Sequence, residues 1–133
     1  DLNELKGINS AGIRAWINWI DKFPTDAHVQ ILNMPHFFLA QASQVKGLLK
    51  PEMFVVSFSL NYFCEETSHS RTKKFTRTSN GMGPQKFIVP LEVDVLSSGK
   101  DNKYILDHVP NRIFKAIRSE VDIYDFEKDP FFD

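Results

Sequence analysis

The most informative stretch of this chain is DLNELKGINSAGIRAWINWI (residues 1–20), in which a short turn leads directly into an amphipathic helix. Asn9 and Ser10 are both favoured N-cap residues, since their side-chain oxygens accept hydrogen bonds from unpaired backbone N–H groups. Apolar residues then recur at the spacing of one buried helix face: Ile13, Trp16, Ile17 and Ile20. The pattern predicts a helix over 11–22, with Ser10 at its start as either a cap or a switch.

The composition is that of one ordinary globular domain. The chain has 133 residues, of which 42% are hydrophobic and 25% charged, with a formal net charge of −1. Nucleic-acid binding in general needs an excess of Lys and Arg to neutralise phosphates, so this balance argues against it. No apolar run approaches the roughly 18 residues of a membrane span. With no signal peptide visible, we expect a cytoplasmic protein that does not bind a membrane.

The first half of the chain alternates between strand and helix patterns. The apolar run HVQILNM (28–34) predicts a short buried strand. Pro35 suits the first turn of a helix over 36–49, and residues 54–62 alternate apolar and polar side chains with the period of a strand. Such an order favours parallel strands joined by crossover helices, and hence an α/β fold.

The second half is richer in strand and turn patterns. RTKKFTRT (71–78) predicts an exposed strand or loop, and SNGMGP (79–84) contains the residues of a turn. Residues 86–96 alternate again, but Pro90 has no N–H to donate, so we expect this strand at a sheet edge or with a bulge. Residues 97–102 are predicted to form a loop.

The end of the chain divides into a helix and a tail. Residues 110–120 predict a last helix with an apolar face. We interpret residues 1–120 as a single domain and residues 121–133 as an acidic, aromatic C-terminal tail. Because a plain disordered tail rarely holds so many aromatic residues, we expect this segment to pack against a surface.

The loop INSAGIR (8–14) resembles the signature loop of the STAS domain, the fold of sulfate transporters and anti-sigma-factor antagonists. Two later strings, in 31–49 and 55–67, resemble a divergent bacterial subgroup of that family. The resemblance implies a mixed α/β sheet with helices packed mainly on one face and a divergent β-rich C-terminal part. It also implies that Asp1 and Leu2 close a strand and that the usual N-terminal strands are lacking.

The same resemblance implies a function. A STAS domain of this type is a non-enzymatic regulatory protein-interaction module, whose partner is an anti-sigma-type serine kinase or a larger signalling complex. Ser10 aligns with the phospho-acceptor serine of the family. The implied switch loop is Asn9, Ser10, Ala11 and Gly12. We expect the partner to contact the exposed face of the first helix at Arg14, Asn18 and Trp19.

No residue pattern indicates an enzyme, a cofactor or a metal site. Ser10 lacks the G-x-S-x-G setting of a hydrolytic nucleophile. Cys64 is followed by two acidic residues instead of the cationic setting of a catalytic thiolate, and as the single cysteine it excludes an internal disulfide. The four histidines are scattered, without metal-ligand spacing.

Two alternatives stay open from the sequence. The first is a structural or assembly subunit, forming a homo-oligomer such as a dimer through free strand edges and the acidic aromatic tail. The second is a nucleic-acid-binding accessory domain that uses basic residues with Phe75 among them. This basic segment consists of Arg71, Lys73, Lys74, Arg77 and Lys86.

Overall fold

The computed structural model describes residues 1–77, 86–97, 100–107, 110–117 and 121–128. In these residues the chain is a mixed α/β fold, which confirms the predicted class. The helices are α1 (Ser10–Ile20), α2 (His36–Gln44) and α3 (Pro110–Ile117). The strands are β1 (Val29–Ile31), β2 (Met53–Val55), β3 (Ser57–Cys64), β4 (His69–Thr76), β5 (Phe87–Ser97), β6 (Lys100–Leu106) and β7 (Val121–Lys128).

The strands form a small parallel sheet and a larger, mainly antiparallel one. β1 pairs with β2 in parallel, and α2 is the crossover between them, as the alternation predicted. In the larger sheet the order is β4-β3-β6-β5-β7, with antiparallel pairs except for β7, which runs parallel to β5. A parallel bridge from Met34 to Phe58 continues the smaller sheet onto β3.

The bounds of several predicted elements differ from those of the structure. The strand predicted over 54–62 is divided at Val56, because β2 pairs with β1 whereas β3 pairs with β4 and β6. The helix predicted over 36–49 ends at Gln44, because Val45 adopts an extended conformation. The loop predicted over 97–102 is wrong at Ser97, the last residue of β5, and from Lys100 onward, where β6 pairs with β5.

Pro90 is accommodated by the limited length of the β5–β6 ladder. β6 pairs with β5 only from Glu92 onward, so Pro90 removes no hydrogen bond from that ladder. The carbonyl of Pro90 accepts a hydrogen bond from Tyr62 Oη at 2.7 Å. The expected edge position or bulge is therefore wrong. β5 lies between β6 and β7, its register with β7 keeps the same offset before and after Pro90, and Pro90 lies beyond the end of the β5–β6 ladder.

The core lies against one face of the larger sheet. Alternate residues of β3 are fully buried on this face, and they include Phe58, Leu60 and Tyr62. The Phe58 ring contacts those of Phe87 at 4.7 Å and Phe114 of α3 at 6.2 Å between centroids. Each fully buried aromatic or aliphatic side chain contributes about 1.5–3 kcal/mol, so this layer dominates the stability. None of the helices among the described residues is long and apolar enough to cross a membrane.

The two ends of the chain also join the fold. Asp1 and Leu2 form no strand, but the Leu2 N–H donates to the Leu32 carbonyl at 2.9 Å, so the N-terminal segment lies beside β1. At the other end, residues 121–128 of the segment interpreted as a tail form β7. The turn predicted over 79–84 lies outside the described residues.

Candidate interaction groove beside helix α1

The start of α1 separates the two cap candidates. Asn9 is the N-cap, with extended backbone angles (φ −98°, ψ 179°), and its Oδ1 accepts a hydrogen bond from Gly12 N at 2.8 Å. Ser10 is the first residue of the helix and is exposed. The Ser10 hydroxyl is therefore not the cap, and α1 does not need it for its first turn.

Gly12 allows the preceding segment to lie close against α1. A Cβ atom at this position would stand 3.0 Å from Ile8 Cγ1 and 3.4 Å from Asn9 Oδ1. The first distance is shorter than ordinary van der Waals contact, so Ile8 would have to move away. Two residues of the loop thus have structural roles, Asn9 as the cap and Gly12 as the point of close approach, while Ser10 has neither role.

Trp16 joins α1 to the rest of the domain. Its Nε1 donates to the Leu48 carbonyl at 2.7 Å, and its ring packs edge-on against Phe38 of α2 at 5.0 Å. Ile20 is fully buried at the end of the same face. The predicted stripe of α1 is therefore the packed one, although only its last residue is completely enclosed.

A groove of about 500 Å³ runs between the N-terminal segment, α1 and the start of α2. This volume lies within the range of about 300–1,000 Å³ that is typical of ligand-binding clefts. None of the described residues that line it carries a charge, and most of its surface is apolar. The α1 groove is lined by Leu2, Leu5, Gly7, Ile8, Asn9, Gly12, Ala15, Trp16, Trp19 and Phe38.

The predicted partner-binding residues divide between the groove and the outer face of α1. Trp19 lines the groove with 55% of its surface exposed, and its ring contacts Trp16 at 5.4 Å and Phe23 at 4.8 Å. Arg14 and Asn18 are also exposed, but neither lines the groove. One of the three predicted contacts therefore lines the same groove as Asn9 and Gly12 of the switch loop, and the other two occupy a separate stripe of the helix.

The basic segment does not form one continuous surface. Along β4, Arg71 and Lys73 lie on one face of the strand and Lys74 lies on the other, because successive side chains point to opposite faces. The guanidinium carbon of Arg71 lies 5.5 Å from the centre of the Tyr104 ring. Lys86, immediately before β5, is half-buried. Phe75, the aromatic residue of the proposed nucleic-acid surface, is buried in the core.

Arg77 is a packing residue rather than a free cation. Its guanidinium carbon lies 3.8 Å from the centre of the Phe54 ring and 4.8 Å from that of Phe87. Its Nε donates to the Val55 carbonyl at 2.8 Å. Burial lowers the pKa of Arg77, as expected for a cation that is partly removed from water.

The remaining reactive side chains in the described part of the chain include a buried thiol and a half-buried imidazole. Cys64 is a free thiol at the end of β3 and is fully buried. Burial lowers the pKa of His36 at the start of α2, and the negative charge of Asp107 partly opposes this effect. Within the described part of the chain, no group of three His, Cys, Asp or Glu residues could hold a metal ion.

Comparison with known proteins adds no relative. No protein-family model matches the chain, and neither the curated proteins nor the solved structures include a match. The geometry of the chain itself therefore carries the functional argument.

One wall of the groove was missed by sequence reasoning. Leu2, Leu5 and Ile8 pack against the core and line the groove, although the sequence interpretation assigned residues 1 and 2 to the end of a strand. Their regular three-residue spacing in front of the cap was the available signal. Because the segment forms neither a helix nor a strand, this spacing does not match the residue periods by which helices and strands are recognised.

Proposed function

We propose that this chain is a non-enzymatic regulatory protein-interaction module, in which the α1 groove receives an apolar segment of a protein partner. Ser10 is the switch that controls this binding through phosphorylation. One observation carries the proposal: an exposed serine, free of any capping role, lies between two residues that line an uncharged groove, Asn9 and Gly12.

The position of Ser10 tolerates a phosphate. The N-terminus of a helix carries a partial positive charge, and a negative group there is stabilised by about 0.3–1 kcal/mol. The first turn of α1 contains no acidic residue that would repel the phosphate. Because Asn9 supplies the cap, modification of Ser10 leaves the helix start intact.

The expected effect of the phosphate is to weaken partner binding. A phosphoserine adds about 1.5–2 negative charges at neutral pH. An apolar segment entering the groove would have to desolvate part of that charge, which is unfavourable without a cationic partner. None of the described residues that line the groove is a Lys or Arg that could compensate. The STAS resemblance suggests that the partner is an anti-sigma-type serine kinase or a signalling complex.

The switch is tested by intact-mass and site-mapping mass spectrometry of the protein purified from its native host. We expect phosphate on Ser10 and none on Ser70, an exposed serine of β4 that serves as the matched control. Ser10→Asp should then reduce capture of the partner, whereas Ser10→Ala and Ser70→Asp should retain it. An unmodified Ser10 across growth conditions would contradict the switch.

A homo-oligomeric assembly subunit is the second candidate, and one observation favours it. β7 is the last strand of the larger sheet among the described residues, it is eight residues long and Ile123 is exposed on it, and a sheet edge of this length can pair with another chain. Light scattering after size-exclusion chromatography tests this candidate. A dimer that Ile123→Lys dissociates would support it, and a monomer at all concentrations would contradict it.

A further inference from the structure

A second cavity lies between the end of α2 and α3, away from the α1 groove. Its volume is about 520 Å³, again within the range of ligand-binding clefts of about 300–1,000 Å³. The only residue of α2 that lines the α1 groove is Phe38, near the start of that helix. The cationic cleft is lined by Ala42, Ser43, Val45, Lys46, Gly47, Leu49, Arg112, Lys115 and Ala116.

The charged residues that line this cleft, in the part of the chain that the structure describes, are all cations. Lys46 comes from the turn after α2, and Arg112 and Lys115 come from α3, so two separate elements supply them. All three side chains are exposed, and none forms an ion pair with another described residue. Among the described residues, none that lines the cleft is acidic, although the chain as a whole has a net charge of −1.

The helix dipoles account for only part of this arrangement. Cations near the C-terminal end of a helix are favourable, which explains Lys46 after α2 and Lys115 in the last turn of α3. Arg112, however, lies in the first turn of α3, where the partial positive charge of the helix opposes a cation. An anion bound between Arg112 and the other two cations would remove this repulsion.

The turn after α2, which supplies Lys46 and Gly47 to the lining, also has main-chain donors without a main-chain acceptor. Gly47 has a φ of +90°, a conformation that other residues rarely adopt. The turn is closed by bonds from Val45 N to the Gln41 carbonyl and from Leu48 N to the Val45 carbonyl. The N–H groups of Lys46 and Gly47, which lie between them, have no main-chain acceptor in the described residues. Successive free N–H groups in a turn are a common anion-binding device.

We infer that the cationic cleft binds a small phosphorylated molecule with an apolar or aromatic part, of the nucleoside diphosphate class. Two or more phosphoryl charges match the three cations, and Arg112 can contact phosphate oxygens through two parallel hydrogen bonds. The other half of the lining is apolar, with Val45, Leu49 and Ala116, and it provides a surface for the base. This inference does not depend on the proposed role of Ser10.

The test is a titration of the full chain, labelled with ¹⁵N, followed by NMR. ADP, pyrophosphate and adenosine are the three probes. We expect ADP to shift the amide signals of residues 42–49 and 112–116, with pyrophosphate binding more weakly and adenosine alone not measurably. Arg112→Ala should weaken ADP binding at least about tenfold, the equivalent of one charged hydrogen-bonding group.

Two further variants keep the test specific. Arg112→Lys should restore part of the affinity, because it retains the charge and loses the paired donors. Lys74→Ala, which removes an exposed cation on β4, should leave ADP binding unchanged. The inference is overturned if millimolar ADP shifts no signal in the cleft, if Arg112→Ala and Lys74→Ala have equal effects, or if pyrophosphate binds as tightly as ADP.

Discussion

In the basic segment and the α1 groove, the residue types suggest one environment and the structure shows another. The basic segment has the charge of a binding surface, yet Arg77 is stacked between two aromatic rings and Arg71 lies over a third. The groove has the composition of a core, yet Trp19 on its rim is more than half exposed. In the basic segment, two arginine side chains cover aromatic rings. In the α1 groove, the described residues leave the apolar side chain of Trp19 partly exposed.

This difference shows why the type of a residue alone does not locate an interaction surface. Long cationic side chains carry an apolar stem and can shield rings while their charge stays near water. An exposed aromatic residue beside a groove, by contrast, has surface that a partner could bury. In both regions, substitution should destabilise the fold at residues that pack against rings or donate hydrogen bonds, and should have little effect at exposed residues.

The largest effect is expected at Arg77. Arg77→Ala removes two cation–π contacts and the hydrogen bond to Val55, which together should cost about 2–3 kcal/mol of unfolding free energy. Chemical denaturation measures this loss. Lys74→Ala in the exposed part of the same segment should change stability by less than about 0.5 kcal/mol. Equal, small effects of both variants would contradict the packing role.

Within α1, Trp16 should matter more for stability than Trp19. Trp16→Phe keeps a ring but removes the donor to the Leu48 carbonyl, leaving that acceptor unpaired at a cost of about 1–2 kcal/mol. Trp19→Phe removes no such bond and should stay within about 0.5 kcal/mol of the wild type. Thermal unfolding of the two variants gives the comparison. A larger loss for Trp19→Phe would make the groove rim part of the core.

Substitution of Asn9 should destabilise the fold more than substitution of its neighbour Ser10, because Asn9 is the N-cap of α1. Asn9→Ala is expected to cost about 1 kcal/mol, because it removes the acceptor for Gly12 N. Ser10→Ala should change the unfolding free energy by less than about 0.5 kcal/mol, since Ser10 is not the cap. Urea unfolding measures both values. A similar loss for the two variants would return Ser10 to a structural role.

The smallest effect concerns pH. Because burial lowers the pKa of His36 from its usual value near 6.5, the folded state resists protonation more than the unfolded state. Stability should therefore be unaffected above that value and fall as the pH drops from 6.5 toward the lowered pKa. His36→Gln should remove this part of the slope in unfolding experiments, whereas His28→Gln serves as the control. An unchanged slope in His36→Gln would contradict the effect.

The sequence predicted the parts of the fold that depend on local periodicity. The buried stripe of α1, the crossover through α2 and the strand pattern at 86–96 all follow from apolar spacing. β6 was missed because its sequence, KDNKYIL, is mostly polar and is held by pairing with β5 rather than by its own pattern. A segment whose hydrogen bonds come from a neighbouring strand need not show a strong signal of its own.

The site was predictable only in part. The order of Asn9, Ser10 and Gly12 marked the start of a helix, but both polar residues are good caps, so the choice between them required the geometry. Trp19 was identified as exposed because it lies off the buried stripe. The groove depends on Leu2 and Ile8, which pack against the core and line the groove together with residues of α1, and the spacing of these residues alone does not specify that arrangement.

Photo-cross-linking from position 19 in the native host tests whether a protein partner binds in the α1 groove and whether Ser10 controls that binding. A benzophenone amino acid in place of Trp19 should form a covalent adduct with one protein partner. Ser10→Asp should abolish this adduct, and Ser10→Ala should preserve it. The same group at Asn18, exposed on α1 but outside the groove, is the matched control. Equal adducts from both positions, or an adduct from position 19 that Ser10→Asp does not reduce, would contradict a groove controlled by Ser10.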